Sequence, residues 1–99
     1  MFLENYIDQI NKLCENHKVR RFFAFGSVID ERFTEGSDID LIVDFRIFDP
    51  LEYAENYFAL KFSLEELLKR PVDLLEQKAI QNKYLLQNIN KSKRLIYES

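Results

Sequence analysis

The 99-residue sequence predicts a small α/β domain, on the borderline with α+β, in which helices flank a mixed β-sheet. Apolar residues recur at the three-four spacing of a helix face in the first segment, whereas short alternating or continuous apolar segments of strand length come later. Helical and strand segments alternate in the order αβαβαβα(β), which favours a layered α/β arrangement over a helical bundle. The length predicts one domain, residues 1–99.

The first half of the chain divides into four elements. Residues 2–17 are predicted as a helix, because positions 3, 6, 7, 10, 13 and 14 are apolar. Val19–Phe25 is rich in aromatics and typical of a buried strand, which Gly26-Ser27 ends. Residues 28–33 are expected to form a short helix and residues 34–37 a loop. Residues 38–45 form the clearest strand, since alternation places Asp38, Asp40, Ile42 and Asp44 on one face and Ile39, Leu41, Val43 and Phe45 on the other.

A long helix and a third strand follow. Asp49 can cap a helix whose first position suits Pro50, and Pro71 predicts its end near residue 69, with a break near Ser63 as an alternative. Val72–Glu76 is the third strand, residues 79–89 a helix and residues 94–97 an edge strand. The crossover helix makes the second and third strands parallel. The first and second strands must run antiparallel if residues 26–27, at the end of the first strand, are to lie beside the start of the second strand.

Composition and charge narrow the class of protein. The 46% hydrophobic content argues against intrinsic disorder, and the apolar runs are too short to span a bilayer. Cys14 is the only cysteine, which excludes an internal disulfide framework. With no signal-like start, a cytoplasmic location is expected. The net charge of −3 counts against a nucleic-acid partner, because such binding depends on cations that neutralise phosphates.

Two short motifs carry the chemistry. Gly26-Ser27, between a strand and a predicted helix, suits a phosphate, because unpaired amides and a hydroxyl can donate to it; a plain turn with a serine cap is the alternative. Asp38 and Asp40 share a strand face, where their charges repel and a Mg²⁺ ion would relieve the repulsion. The alternative to a metal site is that Asp38 caps a turn after Ser37 and Asp40 faces water. The parallel pairing of the second and third strands brings Asp73 to the same end of the sheet as Asp38 and Asp40.

This set of residues suits two-metal phosphoryl or nucleotidyl transfer. One metal would activate an acceptor hydroxyl and the other would hold the triphosphate and the leaving pyrophosphate. Asp38 and Asp40 could contact both metals, and Asp73 could complete the one nearest the acceptor and help to take its proton. Positioning and charge stabilisation would supply the catalysis, so no activated serine, cysteine or histidine is required.

The combined pattern resembles the DNA polymerase β-like nucleotidyltransferase superfamily. Gly26-Ser27, ten intervening residues, Asp38-Ile39-Asp40-Leu41 and then Asp73 in an apolar strand carry the likeness, and the short length is similar to the minimal nucleotidyltransferase (MNT) branch. The resemblance implies Mg²⁺-dependent transfer of a nucleoside monophosphate, with ATP the expected donor, at a site made by Gly26, Ser27, Asp38, Asp40 and Asp73. Many minimal members resemble antitoxins that transfer AMP to a tyrosine of a HEPN-type toxin.

One stretch departs from the family pattern. Minimal members commonly carry an arginine-rich stretch directly after Gly-Ser, but here Val28-Ile29-Asp30-Glu31 follows and Arg32 is the first cation. Arg32 is a candidate nucleotide-binding residue, with an exposed surface role as the alternative. Two other functions stay open: a binding module that neutralises a partner protein by occlusion, and nucleotidyl transfer to RNA or a small molecule. A HEPN-type toxin, a nucleoside triphosphate and a homo- or hetero-oligomer are the expected partners, and no membrane is expected.

Overall fold

The structure, a computed structural model, describes residues 1–29 and 33–99. The helices and strands of these ranges are, in chain order, α1 (Ile7–Asn16), β1 (Val19–Phe25), β2 (Ile39–Phe45), α2 (Pro50–Leu68), β3 (Val72–Glu76), α3 (Lys83–Ser92) and β4 (Arg94–Glu98). Short 3₁₀ turns occupy Phe2–Tyr6, Gly26–Ile29 and Gln77–Ala79. None of the helices in the described ranges is both long and apolar enough to cross a membrane.

The four strands form one mixed sheet in the order β3-β2-β1-β4. β2 runs antiparallel to β1 and parallel to β3, while β4 pairs antiparallel with β1 at the opposite edge. The predicted mixed sheet, with its parallel crossover pair and its terminal edge strand, is therefore confirmed. Because β1 ends beside the start of β2, the turn after β1 lies at the end of the sheet where β2 and β3 both begin.

The two faces of the sheet are covered unequally. The face under α1 and α2 holds the main core, in which Phe22, Leu41 and Leu60 are fully buried. The other face holds a smaller cluster made by Phe23, Ile42 and Ile89, the last of which comes from α3. Helix α3 thus covers part of the second face.

Helix α2 is one continuous helix, so no break occurs at Ser63. The Asp49 side chain accepts a hydrogen bond from the Glu52 amide at 2.9 Å, which confirms its capping role, and Pro50 occupies the first helical position. At the other end, Lys69 adopts a left-handed conformation with φ 58° and ends the helix two residues before Pro71.

Several predicted boundaries differ from the structure. The first helix opens with a 3₁₀ turn over Phe2–Tyr6 before α1 begins. The third helix begins at Lys83 rather than at residue 79. The Asn82 side chain caps it by accepting hydrogen bonds from the Tyr84 and Leu85 amides. The short helix predicted over residues 28–33 was wrong for Val28 and Ile29, which belong to the 3₁₀ turn Gly26–Ile29. Residues 30–32 of that prediction lie outside the described residues.

Candidate active site

Two of the predicted carboxylates are direct neighbours on adjacent strands. Asp40 of β2 and Asp73 of β3 are partners in the parallel register. The preceding pair, Ile39 and Val72, is buried in the main core, so Asp40 and Asp73 face the other side of the sheet. Asp40 is half-buried and Asp73 is exposed. The structure therefore brings these two side chains together at the end of the sheet predicted from the sequence, where β2 and β3 begin.

Gly26 lies directly against the Asp40 carboxylate. Phe25 pairs with Asp40 across β1 and β2, and Gly26 follows with φ +72°, a conformation that favours glycine. A Cβ atom built on Gly26 would lie 2.6 Å from Asp40 Oδ2, closer than such atoms approach. The glycine is thus required both by the turn and by the space that the carboxylate occupies.

Ser27 follows in the four-residue 3₁₀ turn and is half-buried. Local backbone amides and the Ser27 hydroxyl are the donors that this turn can offer a phosphate.

Asp38 stands one residue before β2 and is exposed, so its strand position was predicted one residue too early. The residues on either side of it are bound to the segment between α2 and β3. Arg70 Nη1 donates to the carbonyl oxygens of Thr34 at 2.8 Å and Ser37 at 3.5 Å, and the Ile39 amide donates to the Pro71 carbonyl at 3.1 Å. The sequence analysis missed Arg70, whose only signal was its place just before Pro71 and β3.

The electrostatics of Asp40 are those of a crowded carboxylate. Burial raises its pKa most, and the negative charges of Asp73 and then Asp38 raise it further. Its ionised form is therefore disfavoured in the folded chain. A nearby cation would reverse this effect, since an opposite charge favours the ionised carboxylate.

The three carboxylates Asp38, Asp40 and Asp73 carry the type of donor atom that a hard divalent cation binds. Their oxygens are the donors that Mg²⁺ prefers, and the repulsion felt by Asp40 is the kind that a cation relieves. Across residues 1–29 and 33–99, no group of three or more acidic, histidine or cysteine side chains is arranged to hold a metal ion. Mg²⁺ commonly takes only one or two protein carboxylates and completes its shell with waters and substrate phosphates.

Strand β3, which carries Asp73, is held at its outer edge by α2. The Tyr57 hydroxyl donates to the Leu74 carbonyl at 2.6 Å, and the Val72 amide donates to Glu65 Oε2 at 3.0 Å. Burial, followed by the charge of Glu76 and then that of Asp73, raises the pKa of Tyr57, so the hydroxyl remains a donor. These contacts were not visible in the sequence, because they join residues far apart in the chain.

Arg32, the candidate cation after Gly26-Ser27, lies outside the described residues. Asp44, which shares the strand face of Asp40, is buried near the other end of β2 and forms ion pairs with Arg21 at 3.7 Å and Lys78 at 4.0 Å. This carboxylate therefore has a structural environment separate from that of Asp40.

A mixed sheet with a glycine turn packed on the first of two adjacent aspartates agrees with the nucleotidyltransferase class expected from the sequence. Residues 8–99 match the family described as "Polymerase beta, Nucleotidyltransferase". The chain belongs to this family and is a nucleotidyltransferase.

Named relatives agree with that family. Over 85 residues, which are 86% of this chain and 82% of the relative, the sequence is 38% identical to "Putative protein adenylyltransferase MJ0128" of Methanocaldococcus jannaschii. Among solved structures, a protein described as a "putative minimal nucleotidyltransferase" matches with a TM-score of 0.77 and 28% identity, over 93% of this chain and 90% of that one.

A second solved structure has the same fold. It is a chain in the complex of a tri-AMPylated Shewanella oneidensis HEPN toxin with an MNT antitoxin. The TM-score is 0.67 at 22% identity, over all of this chain (100%) and 74% of that chain. The predicted polymerase β-like core and the resemblance to the MNT branch are therefore confirmed.

Proposed function

We propose that this chain is a Mg²⁺-dependent adenylyltransferase that moves AMP from ATP to a tyrosine hydroxyl of a HEPN-type toxin and so acts as its antitoxin. The observation that carries the proposal is the register pairing of Asp40 with Asp73, with Gly26 packed on the Asp40 carboxylate. The named relative supports protein as the acceptor, and the complex with an AMPylated HEPN toxin supports the kind of partner.

The proposed reaction needs positioning more than a reactive side chain. The acceptor hydroxyl oxygen forms a bond to the α-phosphorus of ATP, the bond from that phosphorus to the β-phosphate bridge breaks, and pyrophosphate leaves. Gly26 permits close approach of phosphate oxygens to the backbone, and the Ser27 hydroxyl donates to one of them. Arg32 is proposed as an additional cation for the triphosphate.

The three aspartates have distinct proposed roles. Asp38 and Asp40 hold Mg²⁺, and bound Mg²⁺ would neutralise phosphate charge and lower the pKa of the acceptor hydroxyl. Asp73 is exposed and lies next to Asp40, so it can bind Mg²⁺ from the acceptor side and receive the hydroxyl proton. Asp38 and Asp40 would also hold a second Mg²⁺, which would neutralise charge on the triphosphate.

The proposal is tested by transfer of label from ATP labelled at its α-phosphate to a HEPN-type toxin of the same genome. The double variant Asp38→Asn/Asp40→Asn should lose at least about a hundredfold of the transfer rate, as removal of charge-stabilising groups does. A matched control, Asp8→Asn/Glu55→Gln, also removes two exposed carboxylates and should transfer at the wild-type rate.

The outcomes separate the competing functions. Label that migrates with RNA or a small molecule would replace the toxin as acceptor. Undiminished labelling by the aspartate variant would contradict the assigned site. If that variant fails to transfer label but still neutralises the toxin fully in cells, occlusion rather than adenylylation explains the antitoxin effect.

A further inference from the structure

One side chain from the end of α2 holds the loop that leads into Asp38. The Arg70 guanidinium donates through Nη1 to the carbonyl oxygens of Thr34 at 2.8 Å and Ser37 at 3.5 Å. These two residues also contact each other, since the Ser37 amide donates to the Thr34 carbonyl at 3.1 Å. The guanidinium therefore fixes both ends of a turn that would otherwise be held by local bonds alone.

The same guanidinium is oriented by aromatic rings. It lies 5.0 Å from the ring centroid of Phe2 and 4.5 Å from that of Phe33, which are themselves 5.2 Å apart. Cation–π contacts with two rings strengthen as water is excluded, and they restrict the plane of the guanidinium. Arg70 thus joins the N-terminal turn, the loop before β2 and the end of α2.

The two neighbours of Asp38 in the chain are therefore both bound by the dipeptide Arg70-Pro71. Its preceding residue, Ser37, is bound by Arg70, and its following residue, Ile39, donates its amide to the Pro71 carbonyl. Pro71 leads directly into β3, which carries Asp73. Residues 70–71 therefore contact the backbone on both sides of Asp38 and lie immediately before the strand that carries Asp73.

We infer that Arg70 is a positioning residue for the active site, holding Asp38 in register with Asp40 and Asp73 through the loop carbonyls. The inference rests on the proposed function in assigning Asp38 to Mg²⁺ and ATP. A glutamine is shorter and uncharged, and a lysine has no planar group to lie on the two rings, so neither keeps the Nη1 contacts together with both ring contacts.

The first measurement needs no nucleotide. In Arg70→Gln, amide hydrogen exchange of Ser37 and Ile39 is expected to accelerate about tenfold, the equivalent of one lost hydrogen bond from a charged donor. Amides in the middle of β1 should keep their protection. Arg46→Gln is the matched control, because Arg46 is exposed and follows β2 at its opposite end. Unchanged exchange at Ser37 and Ile39 in Arg70→Gln would overturn the inference.

The second measurement tests whether Arg70 acts through Asp38. Calorimetric titration of ATP with Mg²⁺ should show about tenfold weaker binding for Arg70→Gln and for Asp38→Asn. In the double variant the loss should be no larger than in Asp38→Asn, because coupled residues are not additive. Additive losses, or full affinity in Arg70→Gln, would overturn the positioning role.

The two measurements also separate this inference from the proposed function. If the wild-type chain showed no Mg²⁺-dependent ATP binding, even with the toxin present, the proposed function would fail. The exchange data would then still decide whether Arg70 positions Asp38. Faster exchange at Ser37 and Ile39 would retain that role, and unchanged exchange would remove it.

Discussion

The two faces of the sheet differ in what they bury. Beneath α1 and α2 lies a continuous apolar core in which Phe22, Leu41 and Val43 are fully buried. On the α3 side, a small cluster leaves room for Asp40 and Asp73 at one end and for the ion-paired Asp44 at the other. Carboxylates are costly in a dry core, so the face with fewer apolar contacts is the one that can carry them. The face beneath α1 and α2 therefore holds most of the buried apolar core, and the other face carries the candidate catalytic carboxylates.

The largest losses of unfolding free energy are expected from alanine substitutions of two neighbouring phenylalanines, and the two losses should differ. Phe22 is fully buried in the main core, whereas Phe23 is 8% exposed in the smaller cluster. Phe22→Ala is expected to lower the free energy of unfolding by about 3–5 kcal/mol. Phe23→Ala should cost roughly half as much, because fewer buried neighbours surround the cavity. Urea unfolding measures both, and equal losses would contradict the division between the faces.

The next effect tests the contact between the glycine turn and Asp40. Gly26→Ala forces a Cβ into the left-handed region and against Asp40 Oδ2, so we expect a loss of about 1–3 kcal/mol in unfolding free energy. Transfer should fall about a hundredfold, because the carboxylate must move. Gly36→Ala is the matched control, since nothing lies within 4 Å of a Cβ there. A Gly26→Ala variant with wild-type transfer would exclude this contact from the site.

A smaller effect is expected in the pH dependence of stability. The folded chain binds the Asp40 proton more tightly than the unfolded chain, whose pKa stays near 3.8. As pH rises from 3.8 through the higher folded-state pKa, the folded form loses its advantage, so the free energy of unfolding falls across that window. Asp40→Asn should remove this fall and be at least as stable as wild type at neutral pH, while losing transfer.

Thermal unfolding of Asp40→Asn and wild type from acidic to neutral pH measures this difference. Asp8→Asn should keep the wild-type profile, because Asp8 is an exposed carboxylate in the first turn of α1. Mg²⁺ with ATP should raise the melting temperature of wild type but not of Asp40→Asn, since only a binding-competent folded state is stabilised by its ligand. A neutral-pH destabilisation of Asp40→Asn would contradict the crowding of the carboxylates.

The smallest effects are expected on the outer side of α2. Phe58 and Phe62 stack on each other there and are 53% and 60% exposed, whereas Leu60 and Leu64 between and beyond them are fully buried. Phe58→Ser/Phe62→Ser should change the unfolding free energy by no more than about 0.5 kcal/mol per site. Leu60→Ala should cost about 2–5 kcal/mol. A large loss in the double variant would show that the main core extends around α2.

Much of the site could be predicted because its signals are local or depend on simple geometry. Alternation placed Asp40 on the face opposite Ile39, and the crossover rule placed Asp73 beside it. The helix predicted to begin at residue 28 was wrong over Val28 and Ile29, which belong to a 3₁₀ turn, because local sequence does not distinguish the two kinds of helical turn. The assignment of the site residues to metal and nucleotide stays a prediction for the experiments above.

Sequence by itself determined the elements, because period, caps and breakers act over a few residues: Asp49 begins α2 and Pro71 follows its end. Only the tertiary structure decided the contacts between distant segments. A register shift near the start of β1 lets Val19 and Phe22 face the same core despite their odd spacing. Likewise, Gly26 meets Asp40 and Arg70 reaches the loop before Asp38 only once the sheet has formed. Such contacts depend on strand pairing across the whole chain, which no local pattern encodes.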